Sequence, residues 1–322
     1  MKAGSRGIAP LLNHFAINSP SNSLGLGWLF SYLILSGSPV AAGALTFLDG
    51  GVIGEIETLF MITGSRLGAA FIVLFIGFIY ILWGHGKLIS LSMGLLSLSV
   101  TAVVYLSSLA ISYLLLTYQV LDFIQFGPGN LLRGAIDLIF TPISKPLTDL
   151  FPSGLVFFIG LGVIITSFVL FDRVIPKIKL RRTDFSQTPR LIYRPVVMFI
   201  LGAMVTLVSM SVSVSLSILV PLSTRGYVRR ENVIPYIMGA NITTFIDTML
   251  VAVFLNNPQA LVVVLSVIVS VATVSLIIIT LFYRHFERTI LTFVSYIGKS
   301  NLNLTVFVVV ILVLPVILIL WK

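Results

Sequence analysis

Eight long apolar segments organise the chain, at 24–48, 56–83, 88–117, 154–171, 196–222, 233–255, 260–282 and 304–321. Most reach the roughly 20 residues that a helix needs to cross a hydrocarbon core about 30 Å thick. None alternates apolar and polar positions as a barrel strand does. The pattern predicts an all-α, polytopic membrane protein. A mixed connector at 119–153 carries Pro128, Pro142, Pro146 and Pro152, and its stretch 131–139 reads as an amphipathic helix lying in the interface.

Four of the segments are interrupted by small and polar residues. The first contains Ser36-Gly37-Ser38-Pro39, and the second contains Gly64-Ser65-Arg66-Leu67-Gly68. Segment 196–222 carries serines at 209, 211, 213, 215 and 217, and segment 233–255 contains Gly239-Ala240-Asn241-Ile242-Thr243-Thr244. Such residues compete with or relax the helical backbone, and backbone opened at membrane depth is tolerated only where it lines a cavity or a site. A shift of 175 residues carries Gly27 to Gly202, Ser36 to Ser211, Ser38 to Ser213, Gly51 to Gly226 and Gly64 to Gly239. The matches fall on small and polar positions, so an internal repeat is expected, with interrupted segments at corresponding places in both halves, the pattern of transporter binding sites. The implied organisation is an N-terminal segment (1–23), a first repeat (24–118), the connector (119–153), a second repeat (154–283), and a basic loop followed by the last span (284–322).

Composition agrees with a membrane setting. Hydrophobic residues make up 57% of the chain and charged residues 10%, against about 25% charged in soluble domains, and the mean hydropathy is +1.10. Without cysteine, disulfides and thiolate chemistry are excluded. His14, His85 and His285 are too scattered to suggest a metal centre. No nucleotide loop, nucleophile elbow or metalloprotease helix is present, so an enzyme is not expected. Residues 1–23 lack the apolar core of a cleavable signal peptide. The net charge of +9 follows the membrane rather than a nucleic-acid surface. If 24–48 and 196–222 are re-entrant hairpins and the other segments cross, fourteen Lys/Arg fall on one side, from Lys87, Arg173–Arg194, Arg225–Arg230 and Arg284–Lys299, and five on the other. The basic side is then cytoplasmic, and the loop after the first hairpin is acidic where its counterpart is basic. This is the arrangement of inverted-topology repeats, each with a re-entrant hairpin and a discontinuous helix. Trp28, Trp83 and Trp321 read as interface anchors, and the basic clusters as topogenic or facing anionic lipid headgroups.

Gly239-Ala240-Asn241-Ile242-Thr243-Thr244, with Met210-Ser211-Val212-Ser213 before it, resembles the paired motifs of type II sodium/phosphate cotransporters and their bacterial relatives. Leu35-Ser36-Gly37-Ser38 and Gly64-Ser65-Arg66-Leu67-Gly68 fall at the corresponding places of the first half. The likeness spans about 24–84 and 195–283. Leu35 and Met210 stand where that family has glutamine, Arg66 where it has asparagine and Thr243 where it has glycine, and residues 1–23 leave no room for the helix that precedes the first hairpin. The resemblance implies sodium-coupled symport of inorganic phosphate or a similar anion by alternating access, in the plasma or inner membrane. It implies no cofactor beyond the coupling ion, leaves a homodimer open, and involves no nucleic acid.

An oxyanion needs several hydrogen-bond donors at once, which serine hydroxyls, opened N–H groups and half-helix N-termini supply, and sodium needs oxygens. Ser36, Ser38, Ser65, Arg66, Ser211, Ser213, Asn241, Thr243 and Thr244 are the candidate substrate and ion ligands, with sodium assigned to Ser211, Asn241 and Thr243. Ser and Thr in membrane helices also simply bond a carbonyl one turn back. Arg66 and Asp247 are the charges expected deep in the bilayer, each costing roughly 2.5–3.5 kcal/mol there on insertion scales. Arg66 is expected either to lend fixed positive charge to the anion site, to pair with Asp247 across the repeats, or to snorkel to an interface. Glu55 and Glu57 read as a solvated first helical turn. Two other functions stay open: transport of a different anion or solute on the same scaffold, and a non-transporting membrane subunit.

Overall fold

The computed structural model describes residues 19–82, 87–123, 194–217, 219 and 228–321, with isolated positions between 146 and 166. The predicted interfacial helix at 131–139, most of segment 154–171 and the basic stretch 173–193 lie outside the described residues. Within them the protein is all-helical, without strands: α1 (Pro20–Ile34), α2 (Ser38–Asp49), α3 (Glu55–Leu82), α4 (Lys87–Thr117), α5 (Pro195–Ser209), α6 (Val212–Ser217), α7 (Arg230–Thr243), α8 (Phe245–Leu255), α9 (Pro258–Ile277), α10 (Tyr283–Gly298) and α11 (Asn301–Leu320). A π-helical turn, Ile278–Phe282, joins α9 to α10. Five helical stretches are long and apolar enough to cross a membrane: Glu55–Phe75, Leu91–Thr117, Arg230–Leu255, Pro258–Gly298 and Asn301–Leu320.

Three of the four predicted interruptions are present. Leu35, at φ 54°, closes α1 in the left-handed conformation, and α2 restarts at Ser38 with Pro39 in its first turn, where a missing N–H costs nothing. Met210, at φ 46°, closes α5 in the same way, and Ser211 Oγ then accepts from Val214 N at 3.3 Å to start α6. These two left-handed residues lie 175 positions apart, the spacing of the sequence matches. The third break is a single turn residue, Thr244, between α7 and α8. The fourth is absent: α3 runs unbroken through 64–68. Its glycines serve packing instead of unwinding. A Cβ on Gly64 would overlap the carbonyl of Leu24, and one on Gly68 would meet the Trp28 carbonyl at 2.5 Å, so α1 lies directly on the α3 backbone.

The same close approach recurs in the second half. A Cβ on Gly27 would overlap the Met61 carbonyl and one on Gly202 that of Tyr236; a Cβ on Gly64 would overlap Leu24 and one on Gly239 would overlap Phe199. Every member of the second set stands 175 residues after its counterpart. Leu24 beside Gly64 and Trp28 beside Gly68 make α1 parallel to α3. Phe199 beside Gly239, and Ala203 O accepting from Thr243 Oγ1 at 2.9 Å, make α5 parallel to α7.

Two prolines inside apolar helices each leave a carbonyl without its partner one turn back, and in each case a tyrosine from another helix supplies it. Pro315 in α11 frees Ile311 O, which accepts from Tyr32 OH at 3.2 Å. Pro235 in α7 frees Glu231 O, which accepts from Tyr283 OH at 3.1 Å. The predicted basic loop after residue 283 is instead a helix. Ile290, Val294 and Ile297 form a buried stripe while Arg284, His285 and Arg288 are exposed, a helical period that the charge count hid. By contrast α11 is mostly exposed, with Pro315 its one buried residue and a half-buried stripe through Phe307, Ile311 and Leu318, as suits a helix with one side toward lipid. The core lies around α2, which is buried from Ser38 through Leu48.

Candidate functional site

Arg66 projects from the unbroken part of α3 into this core and is 2% exposed. Its depth follows from helix geometry: at about 1.5 Å per residue, Arg66 lies roughly 16 Å below Glu55, half of an apolar core about 30 Å thick. Asp247 lies roughly 12 Å from Leu255 by the same measure, and Ser38 roughly 16 Å from Asp49. The ends of α2 and α9 meet where Asn257 Nδ2 donates to Asp49 Oδ1 at 3.1 Å. Ser38, Arg66 and Asp247 therefore share one level.

At that level the guanidinium collects its partners from α2, from α8 and from the turn residue between α7 and α8. Arg66 Nη1 donates to Ser38 Oγ (3.1 Å) and Thr244 Oγ1 (3.3 Å). Nη2 donates to Thr244 O (3.3 Å), Asp247 Oδ1 (3.0 Å) and Thr248 Oγ1. The guanidinium carbon sits 4.8 Å from the centre of the Phe245 ring, a cation–π contact. Phe245 is held edge-on by Tyr105 of α4, at 5.8 Å and 79°. Asp247, 5% exposed, accepts on Oδ1 from the Thr248 N–H and hydroxyl as well. Two atoms are left over: Arg66 Nε and Asp247 Oδ2 are buried with no hydrogen-bond partner. A buried donor and a buried acceptor without partners are costly, and here they belong to the two charged groups of one ion pair.

A second polar chain flanks this pair. Asn241 Nδ2 donates to Thr101 Oγ1 at 3.1 Å, and Tyr105 OH donates to the Asn241 carbonyl at 3.1 Å. Tyr105 thus touches both the Asn241 backbone and the ring beneath Arg66.

The cluster contains Ser38, Arg66 and Thr244 of the predicted residues, with Asn241 one bond away through Tyr105. The others have different partners. Ser65 Oγ donates to Ile62 O at 2.7 Å, back-bonding within its own helix. Ser36 is half-buried in the turn between α1 and α2 and does not bond the guanidinium. Ser211 caps α6, and Thr243 ties α7 to α5. The side chain of Ser213 lies outside the described residues. The three residues assigned to sodium, Ser211, Asn241 and Thr243, are each engaged with a different neighbour. Arg66 makes the expected ion pair with Asp247 and, being buried, does not snorkel to an interface.

Thr248, Phe245, Tyr105 and Thr101 were not anticipated. Thr248 had a legible signal: Thr244, Asp247 and Thr248 stand at i, i+3 and i+4, on one helical face. Tyr105 and Thr101 had none, being ordinary residues of a long apolar helix. No protein-family model matches the chain, and no curated protein or solved structure does.

Proposed function

We propose that the protein is a secondary transporter of a small inorganic anion, phosphate or an ion of that class. It works in a plasma or inner membrane by alternating access between two inverted repeats, with the guanidinium of Arg66 at the centre of the anion site. The observation that carries this reading is a fully buried cation at mid-membrane depth, shared by Ser38 at the start of α2 and by Thr244, Asp247 and Thr248 at the α7–α8 junction. Intramembrane ionisable groups mark substrate and ion pathways, and a planar fork of N–H donors matches an oxyanion.

The packing supports the repeat. Paired glycine contacts and paired left-handed breaks recur at one spacing. Because α1 runs parallel to α3 and α2 returns toward Asp49, the first hairpin opens at the acidic end, near Glu55 and Glu57. Because α5 runs parallel to α7 and Ser215 of α6 returns to Tyr236 (2.9 Å between hydroxyls), the second opens at the basic end, near Arg229 and Arg230. Two hairpins opening toward opposite faces are what inverted repeats require. Sodium is the coupling ion that the family resemblance implies, with Ser211, Asn241 and Thr243 as its ligands.

The test is uptake of inorganic phosphate by proteoliposomes under a sodium gradient, with Arg66→Asn and Asn241→Ala alongside. Uptake at least about 10-fold lower in Arg66→Asn is expected, since loss of a charge-assisted hydrogen bond is worth roughly 1.5–3 kcal/mol. Undiminished uptake removes Arg66 from the site. One observation favours a second reading: protein acceptors already occupy both Nη atoms, as in a locked pair that holds two halves of a non-transporting subunit together. Absence of flux for phosphate, sulfate and chloride alike selects that reading.

A further inference from the structure

Asp247 is the only acidic partner of the buried guanidinium among the described residues, and the chemistry of the pair says what must accompany an anion into the site. Resting on the transport reading above, we infer that Asp247 is the proton-carrying group of this transporter: the incoming anion replaces its carboxylate on Arg66, and the displaced carboxylate takes up a proton.

Three observations lead there. First, the pair is buried on both sides, so an ionised Asp247 separated from Arg66 has no water to solvate it, and a second anion would then stand beside it; neutralisation is the way out. Second, Asp247 Oδ2 carries no hydrogen bond while Oδ1 carries three, from Arg66 Nη2, Thr248 N and Thr248 Oγ1. The free oxygen can accept a proton without any existing bond to Oδ1 being disturbed. Third, the nearby hydroxyls of Ser38, Thr244 and Thr248 are spent on the guanidinium. A sodium ion needs several oxygens at once, whereas a proton needs one.

The neighbouring elements supply no competing group. Helix α3 contributes Arg66, and its Glu55 and Glu57 lie more than two turns away; α4 contributes Tyr105. Helix α2 carries Asp49 at its far end, bonded to Asn257, and α9 carries no ionisable residue. Helix α7 carries Arg230 and Glu231 at its start and Tyr236, bonded to Ser215. The step balances simply. An O–H bond forms on Asp247 Oδ2 with a proton from one side of the membrane as the Asp247–Arg66 pair opens. The anion takes the vacated N–H donors, and on the other side the anion leaves, the proton leaves, and the pair closes again.

The experiment is calorimetric titration of the purified, full-length protein with inorganic phosphate, without sodium, in two buffers of different ionisation enthalpy. Working at about pH 5, below the second ionisation of a phosphate group, keeps the ligand's own proton exchange small. The expected result is about one proton taken up per phosphate bound by the wild type and by Asp247→Glu, and none by Asp247→Asn. Phosphate binding with no proton uptake by the wild type, or equal uptake by Asp247→Asn, overturns the inference. Should Asp247→Asn fail to fold, the wild-type stoichiometry decides. Phosphate binding that requires sodium and takes up no proton sinks this inference and leaves the proposed function standing. No phosphate binding or flux under any condition sinks both.

Discussion

At residue scale, the Arg66–Asp247 pair governs what each partner tolerates. Removing one member leaves the other charged, buried and unpaired, which typically costs about 3–5 kcal/mol. Arg66→Met and Asp247→Leu are each expected to destabilise the folded protein by that order, read as lower midpoints in thermal unfolding in detergent. The double replacement is expected to recover much of the loss, because an apolar pair of similar volume carries no desolvation penalty. Additive losses would show that the two side chains are not partners. Leu35 offers the opposite sign. It is 48% exposed and held at φ 54°, where an L-residue costs roughly 1–2 kcal/mol and glycine does not. Leu35→Gly should therefore stabilise the turn by about 1 kcal/mol, less the entropy glycine loses on folding. Met210→Gly should do the same. A fall in the unfolding midpoint for both would mean that their side chains contribute packing which outweighs the backbone strain.

At the scale of elements, the tyrosine that completes a proline-broken helix is the recurring device. Tyr32→Phe leaves Ile311 O unsatisfied between α1 and α11, and Tyr283→Phe does so for Glu231 O between α7 and α10. Each should cost about 1–3 kcal/mol where the carbonyl is shielded from water. Tyr32→Phe should cost more, since its hydroxyl also accepts from Trp28 Nε1 at 2.6 Å. Equal, negligible effects would show that water or lipid headgroups replace both hydroxyls. These elements were unevenly legible in the sequence. The apolar runs of α3, α4, α9 and α11 stand out because lipid demands them, and the breaks at Leu35 and Met210 were betrayed by adjacent serines and, at the first, by Pro39. The glycines at 64 and 68 misled, because in isolation a glycine reads the same whether it opens a helix or lets another helix touch it. What distinguishes the two is the partner backbone, here the Leu24 and Trp28 carbonyls. Helix α10 was missed because its charges dominated its composition while its three buried positions lay one turn apart. The ion pair was legible as two isolated charges in apolar segments; the aromatic and hydroxyl residues around it were not, since Tyr105 and Thr101 carry no pattern of their own.

At the scale of the whole molecule, the two ends differ in charge and in shape, and the absence of cysteine makes that difference measurable. One end holds Glu55 and Glu57 around an opening of about 480 Å³ lined also by Gly51, Thr117 and Gln259. The other holds Arg230, Ser300 and Asn301 around one of about 420 Å³. If the basic end faces the cytoplasm, as the positive-inside rule predicts, a single cysteine at Glu57 should react with a membrane-impermeant thiol reagent added outside intact cells. A cysteine at Ser300 should react only after the membrane is permeabilised. Placing cysteines at Gly51 and Asn301 repeats the comparison on independent residues. Labelling of all four from one side would place the acidic and basic ends on the same face of the membrane. That would remove the oppositely facing halves on which alternating access depends, whatever the Arg66–Asp247 pair binds.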